Sequence, residues 1–134
     1  MRKTSLLFTL LLLASFFIQC NRKADGRLHD RLSHMAEELN ESAPVMLDSY
    51  TRFEEASVND DNHFRYRYTV LNTENPDSLL SERLTTLTDN IRTMFSTNEE
   101  LAIFRENSVV LEYVYNNEQQ LPIRIITLNP EDYQ

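Results

Sequence analysis

The residues best spaced for chemistry lie between positions 48 and 54. Asp48, Thr51 and Arg52 fall where a turn leads into a strand, and a guanidinium there offers a planar fork for a carboxylate or phosphate. The same residues also fit a purely structural role: the Asp48 carboxylate accepts backbone N–H groups of its own turn, and Arg52 pairs with it or with Glu54. A second group, Arg65, Arg67 and Arg124 with Glu112, reads as a charged ladder on one open sheet face. Such a ladder is either cross-strand pairing or a docking surface for an acidic or amphipathic partner. Asp48, Thr51, Arg52, Arg65, Arg67 and Arg124 are therefore the candidate contacts for a ligand or partner.

Catalytic and metal chemistry find little support. His29 and His34 are five residues apart, about 140° round a helix, and cannot chelate one ion from a common face. His63 lies near Asp60 and Asp61, but a polar hairpin tip of this composition is what turn chemistry produces, and zinc needs three or four ligands. With Gly26 the only glycine, neither a G-x-S-x-G nucleophile turn nor a Gly-rich phosphate loop is possible. The adjacent pairs Glu54-Glu55 and Glu99-Glu100 diverge whether in a strand or in a helix. No catalytic residue, metal or cofactor is expected, and an enzyme is the third-ranked reading.

Cys20 is the only cysteine. Upstream, Met1-Arg2-Lys3 supplies a positive start and the stretch from Leu6 to Ile18 an apolar run, the architecture of a secretion signal. A helix over that run rises about 20 Å, short of the roughly 30 Å hydrocarbon core, so the segment targets rather than spans. The run ends at Gln19-Cys20, followed by the polar stretch Asn21 to Gly26, and resembles the lipobox of bacterial lipoproteins. The resemblance implies acylation of Cys20 and removal of residues 1–19. Residues 20–26 then form the lipidated cysteine and tether, and 27–134 a single α+β domain. It also implies a cell-envelope location, lipid-anchored to the inner or outer membrane and facing the periplasm or cell surface, each buried methylene contributing about 0.8 kcal/mol.

With the thiol consumed, no disulfide remains possible and the fold must rest on its core. Charge narrows the partners. Of 13 basic and 21 acidic residues, Arg2 and Lys3 leave with the signal, so the mature chain carries a net −10. Nucleic acid is excluded as a partner on that balance, and the absence of any basic run argues against anionic lipid headgroups.

The elements follow from periodicity. Leu28, Leu32, Met35, Ala36 and Leu39 predict an amphipathic first helix with Asp25 as its cap and Asn40 near its stop. A strand to about Val58 faces Phe64–Leu71 across a polar tip, placing Phe64, Tyr66, Tyr68 and Val70 on one face. Asn75-Pro76-Asp77 opens a long helix carrying Leu80, Leu84, Leu87, Ile91, Met94 and Phe95. A break near Asn98 recaps a shorter helix, and Val109–Tyr115 with Leu121–Leu128 form a second hairpin. The order α-β-β-α-α-β-β predicts an α+β fold: a four-stranded antiparallel sheet from two β-hairpins, with helices packed on one face.

Pro44, Asp48, Thr51, Arg52 and Glu54, in the pattern P-x-x-x-D-x-x-T-R-x-E, together with Tyr66-x-Tyr68-Thr69, Tyr113-x-Tyr115 and Pro130-x-Asp132, resemble a family of small uncharacterised exported bacterial proteins. The resemblance implies a fold and a compartment, not an activity. Relatives of this type carry cysteines at places corresponding to Phe95 and Tyr133, which implies that these two side chains approach one another here. Taken together, the readings favour a non-enzymatic envelope lipoprotein, an interaction or assembly module presenting a sheet face to an unknown envelope protein. The alternative is a periplasmic small-ligand binding domain, with its ligand between sheet and helices held by Arg52 or the tyrosines.

Overall fold

A computed structural model describes residues 25–134. The signal, Cys20 and the first part of the tether lie outside the described residues. By residue 25 the chain is already helical, so Asp25 and Gly26 belong to the first helix, α1, which runs to residue 40. Leu32 and Ala36, one turn apart on its inner face, are buried.

Five strands follow: β1 (Val45–Met46), β2 (Thr51–Val58), β3 (Phe64–Val70), β4 (Leu111–Asn116) and β5 (Pro122–Leu128). Between β3 and β4 come α2 (Pro76–Thr97), a 3-10 turn (Glu99–Leu101) and α3 (Ala102–Glu106), and a second 3-10 turn (Pro130–Asp132) ends the chain. The strands lie side by side in the order β1-β2-β3-β4-β5. The α+β class stands, but the four-stranded antiparallel sheet does not: the sheet has five strands and is mixed, because β3 and β4 pair in parallel, Phe64 opposite Leu111 and Tyr68 opposite Tyr115.

The parallel pair follows from helix length. Two full helices between the hairpins would carry the chain down the sheet and back, giving an antiparallel neighbour. Here α2, with 22 residues, rises about 33 Å and recrosses the whole sheet, whereas the five residues of α3 rise only about 7 Å. The chain is therefore left level with Phe64, where β3 began, and β4 must run the same way as β3.

The fifth strand, β1, is a two-residue edge pairing Val45 with Phe53 and Met46 with Arg52, too short to show alternation. Beside it the Asn40 side chain extends the ladder, accepting from the Ala56 N–H at 2.7 Å and donating to the Ala56 carbonyl at 2.9 Å. The last side chain of α1 thus satisfies the edge that β1 leaves open.

All helices cover one sheet face. At the end near the β2–β3 tip, Phe64, Phe95 and Phe104 meet edge-on, with centroids 5.2 Å apart for Phe64–Phe104 and 5.0 Å for Phe95–Phe104. Tyr133 joins them 5.8 Å from Phe95, so the approach implied by the family resemblance is present. With no glycine available, the two hairpin turns place Asn62 (φ 59°) and Gln120 (φ 62°) in the left-handed region, which asparagine tolerates better than most residues.

Candidate functional site

Strand alternation splits the residues that the sequence groups at 48–54. The Asp48 carboxylate caps its turn, accepting from the N–H groups of Tyr50 at 2.7 Å and Thr51 at 2.8 Å. Thr51, opposite Val70, faces the helices. Arg52 points to the other side, where its Nε lies 2.6 Å from Glu54. Asp48 and Arg52 therefore do not form a common fork, and the local pairing of Arg52 is with Glu54.

The proposed ladder is divided as well. Arg65 pairs with Glu112 at 2.8 Å and Arg67 with Glu55 at 3.2 Å on the open face. His63 also approaches Glu112, at 3.5 Å, rather than forming a cluster with Asp60 and Asp61. Arg124 is not on that face. It lies opposite Tyr115 and shares its side of β5 with the buried Ile126 and Leu128, and its guanidinium reaches Asp77 at 2.7 Å and Ser81 at 3.0 Å on α2. Among the described residues, no group of three or more His, Cys, Asp or Glu side chains is placed to hold a metal ion.

Two carboxylates on the open face are held below their ordinary value. Burial pushes Glu54 up, but hydrogen bonds with Thr69 and Arg52 and the charges of Arg52 and Arg67 outweigh it. Burial likewise pushes Glu112 up, and Arg65 and His63 reverse the effect.

The helix-covered face carries what the sequence did not disclose. Because β3 and β4 are parallel and in register, Tyr66 stacks on Tyr113 with ring centroids 4.7 Å apart, and Tyr68 on Tyr115 at 4.9 Å. These distances match the natural spacing of neighbouring strands, so identical side chains opposite one another stack without adjustment. Burial pushes all four phenols above their ordinary value, with neighbouring tyrosines adding to it at Tyr68 and Tyr113 and Asp48 adding to it at Tyr115.

Above the upper tyrosines lies a cleft of about 500 Å³ between the sheet and the stretch of α2 from Leu79 to Ile91. Tyr68, Val70 and Tyr115 form its floor and Leu79, Leu80 and Leu87 its wall, with Asp48, Glu82 and Arg83 among its polar lining residues. Arg83 lies 3.9 Å from Asp48 and 5.6 Å from the ring centre of Tyr50, so its charge is partly engaged. Of the six candidate contacts read from sequence, only Asp48 and Thr51 line the cleft, joined by Tyr68, Tyr113 and Tyr115 of the alternative ligand-binding reading. Leu79, Arg83 and Leu87 recur four apart beside the stripe of Leu80, Leu84 and Ile91. The signal for the cleft was thus a helix face wider than one sheet contact requires.

Three solved structures share this fold. A protein of Pseudomonas aeruginosa described as secreted aligns with a TM-score of 0.69 at 12% identity, over 82% of this chain and 96% of its own. The pilotin AspS of the Vibrio cholerae type II secretion system aligns at 0.61 and 10% identity, over 83% and 96%. The pilotin EpsS of the Vibrio vulnificus type 2 secretion system aligns at 0.58 and 11% identity, over 84% and 96%. A search of curated proteins finds no match to the sequence. A family model matches residues 27–124, most of the described domain, and the chain belongs to that family, the domain of unknown function DUF8479.

Proposed function

We propose that this protein is a non-enzymatic assembly module of the cell envelope, held at a membrane through lipid on Cys20, that binds a segment of an envelope protein in the cleft between α2 and the sheet. The observation that carries this reading is an open, largely apolar cleft on a scaffold whose fold is shared with two secretion-system pilotins. The open sheet face supports a docking role less well, since Arg52, Arg65 and Arg67 there are already matched by Glu54, Glu112 and Glu55.

The raised phenols of the cleft support a binding role over an enzymatic one. An acid or nucleophile suited to neutral pH needs a value brought toward 7, and burial moves these tyrosines the other way. The alternative of a small-ligand domain draws on the cleft volume, which lies in the roughly 300–1,000 Å³ range of ligand pockets.

The test is recovery of partners from detergent-solubilised envelopes with the tagged full chain. A stoichiometric envelope protein retained by the wild type and lost with Leu87→Glu is the expected result. Recovery of no stoichiometric protein, or equal recovery by the variant, overturns the reading.

A further inference from the structure

The cleft and the start of α1 at residue 25 lie toward opposite ends of the domain. Helix α1 starts beside the β2–β3 tip, where His29 meets Asn62 at 2.9 Å, and rises only as far as Ala56. The cleft opens at the other end, under the turn between β1 and β2 and beside Thr51, Val70 and Tyr115. Strand β3, which spans from one pole toward the other, covers about 20 Å at 3.3 Å per residue. Only five residues, 20–24, separate and include Cys20 and the helix at residue 25; fully extended they reach about 18 Å. The tether leaves Cys20 itself short of the cleft, so the domain's own acyl chain would have to leave the bilayer, losing the burial of each methylene, and run back along the domain to occupy it.

Charge selects among the remaining occupants. The cleft is apolar within, but its polar lining includes Asp48 and Glu82, and its one cation, Arg83, already faces Asp48 and Tyr50. Four of the 13 basic residues precede residue 25, so nine arginines stand against 21 acidic residues in the described domain. An anionic amphiphile such as a fatty acid would bring its carboxylate to two others. The apolar surface also continues out of the cleft through Leu47, which is 60% exposed, toward the exposed Tyr50 beside Arg83. A small ligand would leave that strip uncovered, whereas a polypeptide segment would bury it.

We infer that the cleft takes a basic, apolar-faced segment of a second polypeptide, presented from the side facing away from the anchoring bilayer; this rests on the docking reading above. The acidic rim supplies attraction and partner choice, and the leucine and tyrosine walls supply the burial that retains the segment.

The experiment uses the lipidated mature chain in nanodiscs of phosphatidylcholine, whose neutral surface does not itself attract a cationic peptide. The probes are fluorescein-labelled amphipathic Leu/Lys and Leu/Glu peptides of about 18 residues, five helical turns, read by anisotropy against empty nanodiscs. The Leu/Lys peptide should bind at least about tenfold more tightly, and Glu82→Lys should weaken it by about threefold or more. Glu100→Lys, the same charge change at the far pole, should leave its affinity unchanged. The Cys20→Ser chain should bind as well as the lipidated one.

Equal affinity for the two peptides, preference for Leu/Glu, or displacement of Leu/Lys by a fluorescent fatty acid overturns the inference. So does binding to Cys20→Ser about tenfold tighter than to the lipidated chain, which would place the protein's own acyl group in the cleft. If neither peptide binds while a stoichiometric envelope partner is still recovered in a Leu87-dependent way, this inference falls and the docking reading stands. If both experiments are negative, both fall.

Discussion

The ring of Phe95, near the end of α2, meets the ring of Tyr133, one residue from the C-terminus, edge-on at 5.8 Å. The Tyr133 hydroxyl also donates to the Val109 carbonyl, with the Phe104 carbonyl 3.2 Å away. An apolar pair thus occupies the place where the family resemblance implies two cysteines in relatives, and it ties the last turn of the chain to the core.

Tyr133→Phe should keep the ring contact and leave the Val109 carbonyl without its donor, costing about 1–3 kcal/mol. Phe95→Ala should cost about 3–5 kcal/mol. A double-mutant cycle between Phe95→Ala and Tyr133→Ala by urea unfolding should show a coupling of about 0.5–1.5 kcal/mol; additive effects would mean the two rings act independently.

Asn40 closes the β2 edge with two hydrogen bonds to Ala56. Asn40→Ala should destabilise the domain by about 1–3 kcal/mol, since it strands a backbone N–H and a carbonyl together. Amide hydrogen exchange at Ala56 should accelerate in the variant relative to Tyr68; unchanged protection would show that the edge is held by other means.

Stability should fall in acid through Glu54 and Glu112. Both carboxyls are held below their ordinary value of 4.5 in the folded chain, so the stabilisation is complete above that value and is lost as pH drops through the lower folded ones. Melting temperature should decline from about pH 4.5 downward, and Glu112→Gln should shallow the decline. A profile unaltered by Glu112→Gln would remove this carboxylate from the acid response.

The tyrosines should govern the alkaline limb. Their folded values are raised, Tyr133 to about 12 and the four stacked phenols also upward from an ordinary value of 10.0. Folding therefore resists their ionisation, and stability present below pH 10 is lost above it. With no tryptophan in the chain, tyrosinate absorbance of a Tyr50→Phe background reports these five. It should rise for these residues together with loss of far-ultraviolet ellipticity, not before it.

Metabolic labelling with a palmitate analogue should mark the wild-type protein and not Cys20→Ser. Equal label in the two would end the proposed lipid attachment.

Much of the fold was legible because its signals are local. The stripe on α2, the break at Asn98 and both hairpins follow from residues within a few positions of one another. The parallel β3–β4 pair was not, because it depends on α3 being too short to recross the sheet, and the sequence marks where that helix starts more clearly than where it ends. The side of Arg124 was blurred by Ile123, Ile125 and Ile126, which put branched apolar residues on both faces of β5. The cleft was least legible of all, since it arises only when Leu79, Arg83 and Leu87 of α2 come to stand over tyrosines from two strands that the sequence had assigned to separate hairpins.

The parallel seam at the sheet's centre also sets the order in which the chain completes itself as it is made. β3 cannot acquire its central neighbour until the whole helical crossover and Leu111–Asn116 have emerged. Until then the segment Phe64–Val70 presents one unsatisfied backbone edge to its surroundings. Shielding of that edge while the chain is incomplete, by a holdase or by rapid completion, becomes a requirement of biogenesis that a meander of short hairpins of the same size would escape.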